Sequence, residues 1–398
     1  MDITIYPQKL NGTVRAIPSK SQAHRLLICA AFSKDETHII CPETNQDIDA
    51  TAACLQALGA RIMRTGDGYH VKPITEVISQ AVLPCRESGS TLRFMLPIVG
   101  ALGVDAVFEL EGRLPCRPLS PLWEEMERMG CQLSRPSENT VRCTGKLRGG
   151  NYSIDGSVSS QFITGLLLAL PLLEAESCIT VTGKLESAPY IRITQEAMAV
   201  FGVASEDFII PGNSCYQSPG TVTVEGDWSN GAFFLTAQNI GNSITVTNLN
   251  PQSPQGDRMI QQLLPALAEH RQISVADIPD LVPILSVAAA CNQGGTFTDI
   301  QRLRLKESDR VEAVVNMLSA LGVEAKATEN TLTVFPGKFH GGIVYSCKDH
   351  RIAMAAAIAA TVADSPVTIT DAQCVAKSYP GFWDEYARLG GHYEQYIR

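Results

Sequence analysis

Six long apolar runs recur along this chain, each following a polar start that often bears Ser or Asp. The runs begin at Ser19, Ser88, Ser159, Trp228, Ile278 and Lys348. Successive starts lie about 50 to 71 residues apart. An apolar run with no polar face is typical of a buried helix, and a regular period of this size predicts a repeated supersecondary unit.

A second recurring feature is a helix end that reads apolar residue, then glycine, ahead of a strand. The pairs are Leu58-Gly59, Met129-Gly130, Phe201-Gly202 and Leu321-Gly322. A weaker helix around 263–270 fills the one gap of double length. Glycine commonly follows the last helical residue, so each unit is expected to add an amphipathic, exposed helix to the buried one. Alternating strands such as 221–225 and 331–335 complete the unit.

The length and composition indicate a globular protein of two domains. A chain of 398 residues is too long for one ordinary core, and three units per domain would give two domains of similar size. The segment 1–6 lacks the charge and apolar run of a secretory signal and is typical of a first strand. The most apolar stretch, 166–173, is interrupted by Pro171 and ends before Glu174. We therefore expect a cytoplasmic protein with no membrane partner.

Cysteine usage and net charge narrow the class of partner. The 12 cysteines include no Cys-x-x-Cys pair and no histidine at metal-ligand spacing. Several lie inside apolar runs, as do Cys29, Cys54, Cys178 and Cys291, which favours buried thiols in a reducing compartment over disulfides or a zinc site. The net charge of -9 argues against nucleic acid as the main partner.

The starts of the apolar helices are expected to bind anions. Capping residues leave backbone N–H groups free, and a helix N-terminus carries roughly half a positive charge, which suits phosphate and carboxylate groups. Cations at a helix start oppose this dipole, so a bound anion would explain them. The basic residues at these starts and in two loops are Lys20, Arg25, Arg93, Arg113, Arg117, Arg302, Arg304, Lys306, Arg310, Lys348 and Arg351. Since the whole chain is acidic, their field must be concentrated in a cleft.

Four carboxylates are candidates for acid–base chemistry: Asp280, Glu307, Asp309 and Asp349. Glu307 lies between Lys306 and Arg310, and neighbouring cations favour the charged form that suits a base. A salt-bridge network at a helix start would give the same pattern. Lysines in an anion site also serve as acids, and Lys20 and Lys377 qualify. Because the common nucleotide-binding, zinc-protease and serine-hydrolase motifs do not occur, the residues alone indicate an anion-binding α/β enzyme.

Nine short motifs, in order and at fitting spacing, resemble the family of 5-enolpyruvylshikimate-3-phosphate synthases. They are Ser19-Lys20-Ser21 with Arg25, Gly89 with Arg93, Arg117-Pro118-Leu119, Ser159-Ser160-Gln161, Pro189-Tyr190-Ile191, Ile278-Pro279-Asp280, Lys306-Glu307-Ser308-Asp309-Arg310, Asp349-His350-Arg351 and Lys377-Ser378-Tyr379-Pro380. One such motif alone carries no weight. Nine that span nearly the whole chain are a specific signal.

The resemblance implies an α/β fold of two similar domains, each of three βαβαββ repeats with buried parallel helices. One domain would comprise 1–18 with 227–398 and the other 19–226, with the active site in the cleft between them. The implied reaction moves the enolpyruvyl group of phosphoenolpyruvate to the 5-hydroxyl of shikimate 3-phosphate through a tetrahedral ketal, in aromatic amino acid biosynthesis. It needs no metal and no cofactor, and the enzyme would be a monomer by analogy with the family.

Carried over position by position, the resemblance also implies the site residues. Those expected to hold phosphoenolpyruvate are Lys20, Gly89, Arg117, Arg310, Arg351 and Lys377. Those expected to hold shikimate 3-phosphate are Ser21, Arg25, Ser159, Ser160, Gln161, Ser187, Asp280 and Lys306. Asp280 and Glu307 would share the proton transfers, with Lys20 and Lys377 as further candidates.

Two positions depart from the family pattern. Glu87-Ser88-Gly89-Ser90 stands where well-known members often read Asn-Ala-Gly-Thr, which bears on the fit of the candidate inhibitor glyphosate. Arg302 occupies a position where some members use Asn to contact the shikimate phosphate. The alternatives are the sister transferase that acts on a UDP-linked amino sugar, a non-catalytic paralogue, and an RNA-end-processing enzyme of related architecture.

Overall fold

A computed structural model describes residues 1–396 as alternating strands and helices. The strands are β1 (Asp2–Tyr6), β2 (Asn11–Arg15), β3 (Thr37–Ile40), β4 (Arg61–Arg64), β5 (Gly68–Lys72), β6 (Gln80–Arg86), β7 (Asp105–Leu110), β8 (Cys131–Ser137), β9 (Thr140–Gly145), β10 (Asn151–Asp155), β11 (Ser177–Thr182), β12 (Ile209–Ile210), β13 (Thr221–Thr223), β14 (Ser243–Thr247), β15 (Arg271–Ser274), β16 (Gly295–Thr298), β17 (Ala325–Ala327), β18 (Thr331–Val334), β19 (Gly342–Tyr345), β20 (Val367–Thr370) and β21 (His392–Tyr396). The first strand and the two strands predicted at 221–225 and 331–335 are present, each one or two residues shorter than the sequence suggests.

The helices fall into buried and surface classes, as the sequence pattern predicts. They are α1 (Lys20–Ala31), α2 (Gln46–Ala57), α3 (Gly89–Leu102), α4 (Leu122–Arg128), α5 (Ser160–Ala169), α6 (Ala188–Val200), α7 (Trp228–Asn239), α8 (Ile260–Ala266), α9 (Val282–Cys291), α10 (Arg310–Ala320), α11 (His350–Ala360) and α12 (Phe382–Arg388). The odd-numbered helices are the six apolar runs and are largely buried. None of the helices in residues 1–396 is long and apolar enough to span a membrane.

The chain forms two compact units, Pro18–Glu225 and Met1–Ile17 with residues 226–396. The unit Pro18–Glu225, here unit A, holds three sheets with strand orders β13-β3-β5-β4, β6-β7-β9-β8 and β10-β11-β12. The other, unit B, holds β19-β20-β1-β21, β15-β16-β18-β17 and β14-β2. Whether these units fold independently as domains stays a prediction.

A βαβαββ repeat explains the sheet orders. In β6–β9, the first two strands run parallel across α3, and β8 and β9 return antiparallel. Strands β15–β18 repeat this order in unit B. The sheets β13-β3-β5-β4 and β19-β20-β1-β21 have the same strand order, but β13 and β1 come from elsewhere in the sequence of their unit. The remaining two sheets have fewer strands. The repeat is therefore real, but it is complete in only four of the six sheets described.

In both units, strand side chains that point to one face of a sheet form the hydrophobic core. In unit A, Leu83, Phe108 and Val141 stand side by side on neighbouring strands, and all three are fully buried. In unit B, Phe297 is aligned with Ile273 and Leu332, which are also buried. Successive residues of a strand face opposite sides, so these positions turn the apolar face of each sheet onto the buried helices.

Not all of the cysteines are buried as expected. Cys29 and Cys54 are fully buried, Cys178 is partly exposed, and Cys291 is exposed. The prediction for Cys291 was wrong because this residue is the last of α9, where the helix reaches the surface.

Substituting Gly165 tests the tight packing of α3 against α5. A methyl group at Gly165 would lie 2.2 Å from the backbone carbonyl oxygen of Arg93, closer than any real contact. We expect Gly165→Ala to lower the free energy of unfolding by about 1–3 kcal/mol or more, because backbone must move. The matched control is Gly66→Ala, where nothing lies within 4 Å. Urea unfolding measures both, and equal stability of the two variants would contradict the packing argument.

Candidate active site

The buried helices begin with capped N-termini, as the sequence predicts. Side chains of five residues accept a hydrogen bond from a backbone N–H of the first turn; these are Ser19, Ser88, Ser159, Asp227 and Asp349. Helix α9 differs, since a single turn of 3₁₀ helix, Pro279–Leu281, precedes it without a capping side chain. The remaining N–H groups and the helix dipoles supply partial positive charge at these ends.

Arg25 is held rigidly inside unit A. It is 2% exposed, its Nε donates to Thr194 Oγ1 at 2.7 Å, and its Nη2 donates to the carbonyl oxygen of Tyr190 at 3.0 Å. Its Nη1 donates to the carbonyl oxygen of Ser21 at 2.5 Å, which places Ser21 beside it. Burial lowers the pKa of Arg25 to about 9, so the guanidinium still carries its charge at neutral pH.

A second basic group surrounds the start of α3. Arg93 donates to the carbonyl oxygens of Gly89 at 3.4 Å and Pro118 at 2.9 Å, and to Gln161 Oε1 at 3.2 Å. A Cβ atom on Gly89 would lie 2.6 Å from Nη1 of Arg117 and 2.7 Å from Nη1 of Arg93. Only a residue without a side chain therefore lets both guanidinium groups approach this backbone.

The remaining candidates of unit A also lie at helix starts. Lys20 is the first residue of α1, and its Nζ lies 2.9 Å from Asp47 Oδ2. Ser159 caps α5, and Ser160 is the first residue of that helix. Ser187 precedes α6 with φ of 57°, a left-handed conformation that costs free energy for a residue with a side chain.

Three carboxylates surround one buried guanidinium in unit B. Arg310, 1% exposed, contacts Asp280 Oδ1 from Nη1 at 2.7 Å, Glu307 Oε2 from Nη2 at 2.6 Å, and Asp349 Oδ2 from Nε at 2.8 Å. These charges hold the pKa of Arg310 well above its ordinary value, against the effect of burial. Asp280, Glu307 and Asp349 are thus fixed within reach of one cation.

Asp280 links this guanidinium to two further cations. Its Oδ2 accepts from Nη2 of Arg351 at 2.9 Å, and its Oδ1 lies 3.6 Å from Nζ of Lys306. Burial alone would raise the pKa of Asp280, but Arg351, Lys306 and Arg310 outweigh it and hold the pKa well below the ordinary value. Burial lowers the pKa of Lys306 to about 8, although Asp280 opposes this shift.

The predicted candidates fall into two groups, one within each unit. Unit A holds Lys20, Ser21, Arg25, Gly89, Arg117, Ser159, Ser160, Gln161 and Ser187. Unit B holds Asp280, Lys306, Glu307, Arg310, Arg351 and Lys377. Lys377 ends the 3₁₀ turn Ala372–Lys377, which packs against α11, and is 7% exposed.

Two of the four acid–base candidates stabilise helix N-termini. Asp309 caps α10, accepting from the N–H groups of Val311 and Glu312. Asp349 caps α11 and also accepts from Ser308 Oγ at 3.0 Å, besides its contact with Arg310. Asp280 and Glu307 do not cap a helix, which leaves their carboxylates as the stronger candidates for chemistry.

Sequence reasoning missed several residues that hold the site. Asp47, the partner of Lys20, and Thr194, the partner of Arg25, lie 27 and 169 residues from those partners. Neither belongs to a motif singled out from the sequence. Contacts over such separations depend on how the helices pack, and no periodicity in the chain signals them.

Removing the charge of Asp349 tests the buried network. Asp349→Asn leaves Arg310 with one fewer counter-charge in a site that water does not reach, so we expect a loss of about 3–5 kcal/mol in stability. Glu324→Gln is the control, because its ion pair with Lys326 is exposed and contributes less than about 1 kcal/mol. Denaturant unfolding compares the two, and similar losses would contradict the assignment of Asp349 as a structural counter-charge.

Sequence comparisons agree with the resemblance drawn from the motifs. The family description "EPSP synthase (3-phosphoshikimate 1-carboxyvinyltransferase)" matches residues 5–386. A protein named 3-phosphoshikimate 1-carboxyvinyltransferase from Clostridium kluyveri is 38% identical over 421 residues, covering 99% of this chain and 98% of the relative. One of the same name from Clostridium perfringens is 39% identical over 417 residues, covering 98% of each chain.

Solved structures share the fold. An EPSP synthase from Acinetobacter baumannii superposes with a TM-score of 0.80 at 24% identity, covering 99% of this chain and 100% of the other. The enolpyruvyl transferase NikO from Streptomyces tendae gives 0.75 at 16% identity, covering 99% and 98%. The predicted α/β fold class is confirmed, and so is the predicted family. The chain belongs to the EPSP synthase family, the 3-phosphoshikimate 1-carboxyvinyltransferases.

Proposed function

We propose that this chain transfers the enolpyruvyl group of phosphoenolpyruvate to the 5-hydroxyl of shikimate 3-phosphate. Family membership supports the reaction. The observation that supports the residue roles is Asp280, an ionised carboxylate held between Arg310 and Arg351. Such a group is unprotonated at neutral pH, as a proton acceptor must be, and its neighbours are cations of the kind that bind anions.

Both substrates carry phosphate and carboxylate groups, which repel each other when brought together. We assign phosphoenolpyruvate to Lys20, Arg117, Arg310, Arg351 and Lys377, with the backbone of Gly89 beside it. We assign shikimate 3-phosphate to Ser21, Arg25, Ser159, Ser160, Gln161, Ser187, Asp280 and Lys306. The hydrogen bonds that fix Arg25 support this assignment, since a cation already held in place offsets the repulsion without further ordering.

The proposed chemistry begins with proton transfers at two atoms. The methylene carbon of phosphoenolpyruvate gains a proton while the 5-hydroxyl oxygen attacks the adjacent carbon and loses its own. The tetrahedral ketal then loses a proton and phosphate to restore the double bond. Asp280 is ionised at neutral pH and is therefore the candidate acceptor for the hydroxyl proton, although its low pKa makes it a weak base until the neighbouring cations are taken up by substrate. Glu307, Lys20 and Lys377 are the candidates for the other transfers.

Arg310 keeps donors for a substrate while it holds the carboxylates. A guanidinium has five N–H groups, and among the described residues three of them donate to Asp280, Glu307 and Asp349. One N–H on Nη1 and one on Nη2 are not used by these three carboxylates. We propose that they donate to an oxyanion of the substrate.

We extend the proposal to four finer points that follow from the family and the sequence. The protein acts as a monomer in the cytoplasm, it needs no metal, and glyphosate competes with phosphoenolpyruvate. Because Glu87 introduces a carboxylate two residues before Gly89, we expect it to weaken the fit of an anionic inhibitor.

Phosphate release from phosphoenolpyruvate is the direct test of the reaction. We expect release that requires shikimate 3-phosphate and continues in a chelator. Release with a UDP-linked amino sugar instead would replace the proposed acceptor. No release with either acceptor would favour a non-catalytic paralogue.

Glu307→Gln tests proton transfer at the position beside Arg310. The amide keeps the shape of the side chain but cannot accept a proton, so we expect kcat to fall about 100-fold or more. The matched control is Glu312→Gln in the exposed first turn of α10, for which kcat should stay within about twofold. Steady-state kinetics measures both, and unchanged turnover of Glu307→Gln would remove Glu307 from the mechanism.

Gly89→Ala tests the approach of Arg117 and Arg93 to the start of α3. The added methyl group would displace both guanidinium groups, so we expect KM for phosphoenolpyruvate to rise about tenfold to 100-fold. KM for shikimate 3-phosphate should change less, and Gly66→Ala, which adds a methyl group in open space, should change neither. An equal rise in both KM values would indicate general disruption of unit A.

A further inference from the structure

A chain of buried hydrogen bonds joins the first three helices of unit A. His24 lies on α1, Thr51 on α2 and Thr91 in the first turn of α3, and all three side chains are fully buried. His24 Nδ1 lies 2.7 Å from Thr51 Oγ1, which lies 2.7 Å from Thr91 Oγ1. Thr91 Oγ1 then donates to Ser88 Oγ at 2.8 Å. The imidazole and the two threonines have no part in the assignments made above.

The direction of these hydrogen bonds determines which nitrogen of His24 carries the proton. A threonine hydroxyl has one hydrogen. That of Thr91 goes to Ser88 Oγ or to the more distant carbonyl oxygen of Asp47 at 3.4 Å. The hydrogen between the two threonines must therefore come from Thr51. Since the Thr51 hydrogen is then used, the hydrogen between Thr51 and the imidazole must come from Nδ1 of His24.

The surroundings of the imidazole explain why a hydrogen-bond donor is needed there. Burial lowers the pKa of His24 to about 3, although Asp47 opposes this shift, so the ring is neutral. Among residues 1–396, Nε2 has no hydrogen-bond partner, and the ring meets that of Phe94 edge-on with centroids 6.2 Å apart. A buried lone pair without a donor costs free energy that an apolar side chain would avoid. The N–H on Nδ1 is what histidine adds at this position.

The far end of the chain is the backbone at the start of α3. Ser88 Oγ accepts from the backbone N–H of Thr91 at 3.3 Å as well as from its hydroxyl, so one residue supplies both hydrogen bonds to this cap. Gly89 follows Ser88 directly. Its backbone is the one that Arg93 and Arg117 approach. A shift of the Thr91 side chain therefore reaches the backbone assigned to phosphoenolpyruvate.

Loss of the imidazole N–H would give Thr51 another choice. A threonine within a helix can donate to the carbonyl oxygen four residues before it, which for Thr51 is that of Asp47. That bond would take the Thr51 hydrogen away from Thr91. The hydrogen bond from His24 holds the Thr51 hydroxyl in the position from which it donates to Thr91.

We propose that His24 is a positioning residue for the reaction proposed above, and that its Nδ1–H, acting through Thr51 and Thr91, sets the position of the Ser88–Gly89 backbone for phosphoenolpyruvate. The imidazole neither contacts substrate nor transfers a proton. The inference rests on the proposed function, but the protonated nitrogen of His24 and the coupling of the three side chains do not.

Two replacements of His24 separate the donor from the volume of the side chain. His24→Asn places an amide N–H near the position of Nδ1, whereas His24→Gln places one near that of Nε2. We expect KM for phosphoenolpyruvate to rise about three- to tenfold in His24→Gln and to stay within about twofold of wild type in His24→Asn, with kcat nearly unchanged in both. Glutamine matches the volume of histidine more closely, so a role in packing alone predicts the opposite order and would overturn the inference.

The control for these variants is Thr236→Val on α7. Thr236 is fully buried, and among residues 1–396 its hydroxyl has no hydrogen-bond partner. Its KM for phosphoenolpyruvate should follow wild type. An equal rise of KM in His24→Asn and His24→Gln, or no rise in either, would overturn the inference.

A double-mutant cycle tests whether His24 and Thr51 act through one chain. Thr51→Val keeps the shape of the side chain and removes its hydroxyl. We expect the double variant with His24→Gln to raise KM for phosphoenolpyruvate no further than either single variant. Denaturant unfolding of the same four proteins should show the same non-additivity, without any need for catalysis. Additive effects in either measurement would overturn the inference.

Nuclear magnetic resonance of wild type with ¹⁵N-labelled histidine locates the proton directly. The signals of His24 are those that His24→Asn lacks. We expect a slowly exchanging proton on Nδ1 and none on Nε2, and the reverse would overturn the inference whatever the enzyme's activity. Absence of phosphate release in wild type contradicts the proposed function. The resonance and unfolding data then still decide whether His24 holds Thr51 as inferred.

Discussion

The constraint on which unit B depends is the burial of the Arg310 guanidinium. A cation with 1% exposure loses nearly all of its hydration, so it must be matched by negative charge and by hydrogen bonds. Asp280, Glu307 and Asp349 supply both, and each comes from a different part of the chain. Meeting this requirement draws the turn before α9, the start of α10 and the start of α11 together.

The repeated fold explains why such clusters form at helix starts. A βαβαββ repeat places a buried, capped helix after its first strand, and each unit contains this arrangement several times. Buried helices must satisfy their first N–H groups within the protein, which is why Ser or Asp occurs there. Once one Asp caps a buried helix, a nearby arginine can share it, as Arg310 shares Asp349. The repeat thus offers several places where anions and cations can meet.

The sequence predicted the repeat, the buried helices and most candidate residues, because apolar periodicity and capping residues act locally. The starts of α1, α3, α5, α7 and α11 lie within two residues of the predicted positions. The start of α9 was less accurate, since Pro279 begins a 3₁₀ turn before the helix proper. What the sequence could not predict was the partner of each charge. Asp47 and Thr194 owe their importance to contacts between distant segments, and local patterns carry no information about those.

A near balance of charge also explains how three cations can lie together inside an acidic protein. Lys306, Arg310 and Arg351 would repel one another if they stood alone. Asp280 removes that repulsion before any substrate arrives, because it contacts all three. An oxyanion bound here, as proposed above, would meet cations already in position. Affinity for an anion in such a cluster would depend on the ionisation of the acids nearby as well as on the number of arginines.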